Sequence, residues 1–164
     1  MRWFKLLLYH GSNVLVKNPR IIVSAKKLDF GAGFYLTSSY EQAKRWARLK
    51  TSRLKKGKAV VSVFEIADDR LFTLKTITYP RADKAWLEMI TLNRTNAVYD
   101  AGYDVIIGPV ADDDTLETIR LYFRGMYDEE EALKRLLPQR LKDQYAFKTE
   151  ASLMILRFEK GDDV

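Results

Sequence analysis

His10 is the chain's only histidine, and it stands in Leu6-Leu7-Leu8-Tyr9-His10-Gly11-Ser12. If the apolar strand breaks at Gly11, the imidazole projects from the strand end, where a neutral ring can donate and accept a hydrogen bond at once. A second glycine-broken segment, Asp29-Phe30-Gly31-Ala32-Gly33-Phe34-Tyr35-Leu36-Thr37, delivers Tyr35 from a strand. The pattern predicts two strands that pinch a flat ligand, since an aromatic face packs a planar ring and a glycine lets backbone approach it closely.

Other groupings are weaker. Gly31-Ala32-Gly33 lacks the helix that a phosphate loop needs at once after its glycines, so it reads as a bulge or a point of close backbone approach. Asp112-Asp113-Asp114 has carboxylates enough for a hard cation, but Asp114 with Glu117 has the spacing of a helix cap, and no metal is expected. A triad of His10, Asp29 and Ser12 is disfavoured because Ser12 lies only two residues from His10 on the same strand. General acid and base work by His10 on an RNA 2′-hydroxyl is an alternative chemistry.

The elements that must hold these residues follow from periodicity. Strands are expected at Leu6–Tyr9, Phe34–Thr37, Ala59–Ile66, Leu71–Ile77 and Tyr103–Val110, with a short extended piece at Arg20–Ser24. Ser38 and Glu41 have capping-box spacing before a long basic helix that ends near Gly57. Trp86, Met89 and Ile90 mark a second helix, and Thr115–Arg124 and Asp128–Leu137 two more. Asn93 and Arg94 end the second helix, where a cation suits the dipole, so Arg94 receives no site role. The chain closes with β-like runs at Gln144–Phe147 and Ser152–Phe158. Strands and helices mix without strict alternation, which predicts an α+β fold.

At 164 residues and 47% hydrophobic content the chain suits a single domain spanning residues 1–164. The absence of cysteine excludes disulfides and thiolate chemistry and suits a cytoplasmic protein. Lys5 interrupts the apolar run of the N-terminal residues, so neither a signal peptide nor a membrane association is expected. Net charge is +6, and much of the excess gathers in Lys44, Arg45, Arg48, Lys50, Arg53, Lys55, Lys56 and Lys58. Such a strip is either a solvated helix face or the footprint of nucleic acid, a nucleotide or an acidic protein.

Taken in order, His10-Gly11-Ser12, Gly31-x-Gly33-Phe34-Tyr35-Leu36-Thr37 with Gln42-Ala43, and Asp143-Gln144-Tyr145-Ala146-Phe147 resemble the ADP-ribosyltransferase superfamily. Within it the chain looks like a bacterial family catalogued as a domain of unknown function. Trp86-Leu87, Asn93-Arg94 and Tyr103 to Asp112 extend the likeness over nearly the whole length. The resemblance implies a split β-sheet with an NAD cleft and flanking helices. It also implies that His10 bonds a ribose hydroxyl, Gly11 backbone grips the nicotinamide amide, and Tyr35 stacks on the nicotinamide ring, with Ser12 and Gly33 beside them.

Where the best-known members carry a glutamate, this chain has Gln144. Its amide can hold a 2′-hydroxyl but brings no formal charge to an oxocarbenium-like transition state, a loss of roughly 3–4 kcal/mol. Asp143 or Glu150 is a candidate to supply that charge. Without the resemblance, Gln144 reads as an exposed polar strand residue. The implied function is a mono-ADP-ribosyltransferase that uses NAD as substrate on a macromolecular acceptor, as a toxin paired with an acidic antitoxin or in phage defence. The alternatives are a non-catalytic NAD or ADP-ribose binding module and the His10-dependent RNA-processing enzyme.

Overall fold

A computed structural model describes residues 5–23, 28–96 and 99–164. Met1–Phe4, where the N-terminal apolar run begins, and Ser24, the end of the expected extended piece, lie outside them. The described chain is α+β, with a three-stranded sheet in the order β1-β3-β7 and a four-stranded sheet in the order β2-β6-β5-β4. The strands are β1 (Lys5–Ser12), β2 (Phe34–Leu36), β3 (Val60–Ala67), β4 (Thr76–Thr78), β5 (Val105–Pro109), β6 (Asp143–Phe147) and β7 (Arg157–Asp163). The helices are α1 (Tyr40–Leu54), α2 (Asp68–Leu71), α3 (Lys84–Thr95), α4 (Asp113–Phe123), α5 (Glu129–Leu136) and α6 (Glu150–Leu153). None of these helices is long and apolar enough to cross a membrane.

Among the described residues, one backbone bridge joins the sheets. Tyr9 and Thr37 exchange both backbone hydrogen bonds, at 2.9 and 3.0 Å, as an isolated bridge between β1 and the end of β2. Strand alternation then separates two cores. Phe34 and Leu36 join Leu8, Phe64, Val105 and Phe147 in a core shared by both sheets. On the opposite face of the four-stranded sheet, Ile106 and Ala146 pack with Phe30, Trp86, Met89 and Ile90, and Tyr35 lies against this second core. The Trp86, Met89, Ile90 stripe is thus the buried face of α3, and Trp86 anchors it further by donating Nε1–H to the Pro109 carbonyl at 3.0 Å.

Several boundaries differ from the expectation, each for a local reason. β1 does not break at Gly11 but runs on to Ser12 paired with β3. Gly11 is there for packing, because a Cβ would stand 2.0 Å from the Ala43 carbonyl oxygen and push α1 off the sheet. Ser39 rather than Ser38 caps α1, accepting from the Gln42 N–H, while Ser38 turns to Asp143. Asp112 rather than Asp114 caps α4, accepting from the Thr115 N–H at 2.9 Å, and Asp113 pairs with Arg45, so these acids serve helix and surface.

The expected strand Leu71–Ile77 is largely not one. Asp68–Leu71 is helical, Phe72 to Leu74 close turns onto Asp69, Arg70 and Leu71 carbonyls, and only Thr76–Thr78 pairs, parallel to β5. The expected β run at Ser152–Phe158 begins late. Thr149 and Ser152 form a reciprocal capping box that starts α6, which delays β7 to Arg157.

Candidate functional site

The bridge at Tyr9 sets the orientation of everything near it. Because successive residues of a strand turn their N–H and C=O groups to opposite edges, the Tyr9 groups that bond Thr37 require those of Gly11 to face the same β2 side. There β2 has begun to diverge. His10 fills the corner, with Nδ1 2.7 Å from the Tyr35 carbonyl oxygen. A carbonyl only accepts, so Nδ1 carries the proton and the neutral ring keeps Nε2 as an acceptor. Burial lowers the His10 pKa to about 4, the bond to Tyr35 opposes the shift, and the Lys50 cation adds to it. Lys50 also donates to Ser12 Oγ at 3.3 Å, so Ser12 is engaged by a lysine.

The His10 and Tyr35 rings lie on different faces of β2. His10 stacks on Phe34 with ring centroids 4.3 Å apart, and Phe34 and Tyr35, being neighbours in β2, point to opposite faces. The two residues communicate through the Tyr35 backbone. Tyr35 itself shares a face with Gln144: Tyr35 is opposite Ala146 across β2 and β6, and Gln144 lies two residues from Ala146.

The loop before β2 is held from several sides. Tyr35 Oη donates to the Gly31 carbonyl at 2.6 Å and accepts from the Phe30 N–H at 3.1 Å. Burial raises the Tyr35 pKa, so the phenol stays protonated. Lys148 Nζ donates to the Phe30 and Ala32 carbonyls, and burial lowers its pKa. Gly31 adopts φ +78°, a conformation that favours glycine. Gly33, an expected ligand contact, has both backbone groups bonded to Ile22, at 3.2 and 3.3 Å.

Gln144 is buried rather than exposed. Its Nε2 donates to Asp29 Oδ2 at 3.0 Å and to the Pro109 carbonyl at 3.1 Å. Asp29, also buried, receives Arg94 Nε on its other oxygen at 2.8 Å. Sequence reasoning misses this network, because it makes Arg94 a dipole partner at a helix end and Asp29 only a member of a triad. In the fold Asp29 serves Arg94 and Gln144. The one available signal is an acidic residue directly before a buried Phe-Gly turn.

The two acids expected to assist Gln144 are placed elsewhere. Asp143 accepts from the Ser38 N–H at 2.8 Å and from the Thr37 hydroxyl at 3.1 Å, which ties β6 to the start of α1. Glu150 is exposed in the first turn of α6, beyond the far end of β6 from Gln144. Three cavities, of about 500, 580 and 350 Å³, are lined respectively by α4 and α5 residues, by Pro80–Ala82 with Leu137–Leu141, and by Tyr99, Tyr103 and Lys148. None of these three includes His10, Gly11, Tyr35 or Gln144. In α1, Arg48 and Arg53 are exposed, as are Lys55 and Lys56 beyond its end, whereas Lys44 and Lys50 are half-buried.

The chain matches, over residues 6–158, the model of a family described as Protein of unknown function (DUF3990), and it belongs to that family. The match includes His10, Tyr35, Arg94 and Gln144. No curated protein and no solved structure matches the chain.

Proposed function

We propose that this member of the DUF3990 family is a mono-ADP-ribosyltransferase with NAD as its substrate. The observation that carries the reading is the Gly11 backbone, whose N–H and C=O face the parting of the two sheets beside an imidazole fixed as an acceptor. A primary carboxamide such as that of nicotinamide offers the complementary acceptor and donor. Nε2 of His10 suits a ribose hydroxyl, and Gln144 lies on the Tyr35 side of the four-stranded sheet. The ordered resemblance of these residues to the superfamily supports the same assignment.

In the reaction, the bond between ribose C1 and the nicotinamide nitrogen breaks, and both electrons leave with neutral nicotinamide. The acceptor's nucleophile forms the new bond to C1 and releases its proton. Gln144 would hold the ribose 2′-hydroxyl without adding formal charge, so any stabilisation it gives is dipolar. The exposed cations of α1 favour an acidic or polyanionic acceptor, and an acidic antitoxin could cover the same strip.

The amide at Gln144 favours a second reading, a module that binds NAD or ADP-ribose without turnover. The RNA-processing alternative is weakened by His10, whose depressed pKa and committed Nδ1 suit a fixed hydrogen-bonding role better than proton exchange near neutrality. Calorimetry tests the site itself. NAD should bind, free nicotinamide should compete, and ADP-ribose should bind more weakly than NAD; no NAD binding would refute the transferase, and binding of neither ligand would refute the module as well.

A further inference from the structure

Both amide hydrogens of Gln144 are committed, one to Asp29 Oδ2 at 3.0 Å and one to the Pro109 carbonyl at 3.1 Å. Carboxylate and carbonyl oxygens only accept, so the network fixes which end of the amide is nitrogen and leaves Oε1 to serve as an acceptor. Asp29 is fixed in turn by Arg94, whose Nε and Nη2 both reach Oδ1. Two distant segments therefore hold the amide that β6 presents, the turn before β2 through Asp29 and the end of β5 through Pro109, and the end of α3 holds Asp29 in turn.

We infer that Asp29, clamped by Arg94, is a positioning residue that aims the Gln144 carbonyl oxygen at a ligand hydroxyl, and that Asp29 is why glutamine rather than glutamate serves at position 144. The inference rests on the NAD reading, in which that hydroxyl is the 2′-hydroxyl of the nicotinamide ribose. A glutamate at 144 would face the Asp29 carboxylate across a distance that a hydrogen bond now spans, replacing attraction by like-charge repulsion. Glutamine delivers an acceptor oxygen there and a donor to Asp29 at once. This arrangement makes the chain's departure from the glutamate pattern a property of its own surroundings, not a lost residue.

The test is nicotinamide release from NAD and from its 2′-deoxyribose analogue, with thermal melting of every variant. Wild type should prefer NAD to the deoxy analogue, and Asp29→Asn should lose most of that preference. Gln144→Glu should lose roughly tenfold to a hundredfold in kcat/KM, the range expected when a hydrogen bond to a charged group is removed. The double variant Asp29→Asn with Gln144→Glu, in which amide and carboxylate trade places, should recover the part of the loss that Asp29 causes, while the Pro109 carbonyl still faces a carboxylate. Arg94→Lys, which keeps the charge but not the two-pronged grip, should weaken the preference less than Asp29→Asn and serves if that variant does not fold. Undiminished preference in the Asp29 and Arg94 variants, or a double variant no better than Gln144→Glu, would overturn the inference alone. Wild type that neither binds nor cleaves NAD would overturn the NAD reading and this inference with it.

Discussion

The Nδ1 of His10 lies 2.7 Å from the carbonyl oxygen of Tyr35, so the histidine is attached to the tyrosine's backbone while the two rings occupy opposite faces of β2. This relationship selects the tautomer, places the imidazole at the parting of the sheets, and gives His10 a structural role. A strand edge that would otherwise pair with Gly11 is thereby occupied by a side chain.

Burying a neutral imidazole links stability to pH. The folded pKa of His10, about 4, lies below its ordinary value of 6.5, so between these values the unfolded chain binds the extra proton. The stabilisation is fully present above pH 6.5 and is lost as pH falls toward 4, amounting to about 3 kcal/mol over the whole interval. Denaturant unfolding at several pH values should show this decline, and His10→Gln should flatten it. An equal decline in the variant would show that other groups cause it.

Gly11→Ala should destabilise the fold by about 1–3 kcal/mol, as overpacking a tightly filled position does. The new methyl would meet the backbone of α1 at Ala43, which cannot swing aside as a side chain can. Unfolding free energy within a few tenths of wild type would contradict the packing role of this glycine.

Tyr35→Phe keeps the ring and removes the phenol that bonds Gly31 and Phe30. Leaving the Phe30 N–H without that partner should cost about 1–3 kcal/mol in stability. If the ring packs on nicotinamide as proposed, nicotinamide release should change much less than in Tyr35→Ala. A Phe variant as inactive as the Ala variant would assign the phenol, not the ring, to the chemistry.

If a nucleic acid docks on the strip of α1, its affinity should fall steeply with salt. Neutralising Lys44, Arg48 and Lys55 together should reduce the slope of log K against log salt by roughly 2 to 3, about 0.9 for each phosphate that no longer meets a cation. Binding that ignores salt, or an unchanged slope, would exclude this surface. Arg45 is a poorer choice for the test because Asp113 already pairs with it.

Much of the site's framework is legible where chemistry is local. His10, Tyr35 and Gln144 lie on strands as expected, and the spacing of Trp86, Met89 and Ile90 predicts the buried face of α3. The errors fall where tertiary packing decides. Gly11 suggests a strand end because glycine often breaks strands, but here it admits a helix. Gln144 suggests an exposed position because glutamine is polar, and nothing in its neighbours announces Asp29, 115 positions away. The same holds for Arg94, whose partner is 65 positions away, and no periodicity reports a pairing of that span.

The most direct measurement is free nicotinamide released from NAD by wild type, Tyr35→Ala and Gln144→Ala, with cell lysate supplying acceptors. Release by wild type that is lost in both variants is the predicted result and would locate NAD cleavage at the parting of the sheets. NAD binding without any release would contradict transferase activity and leave a binding module, and release unaffected by either substitution would place the chemistry elsewhere.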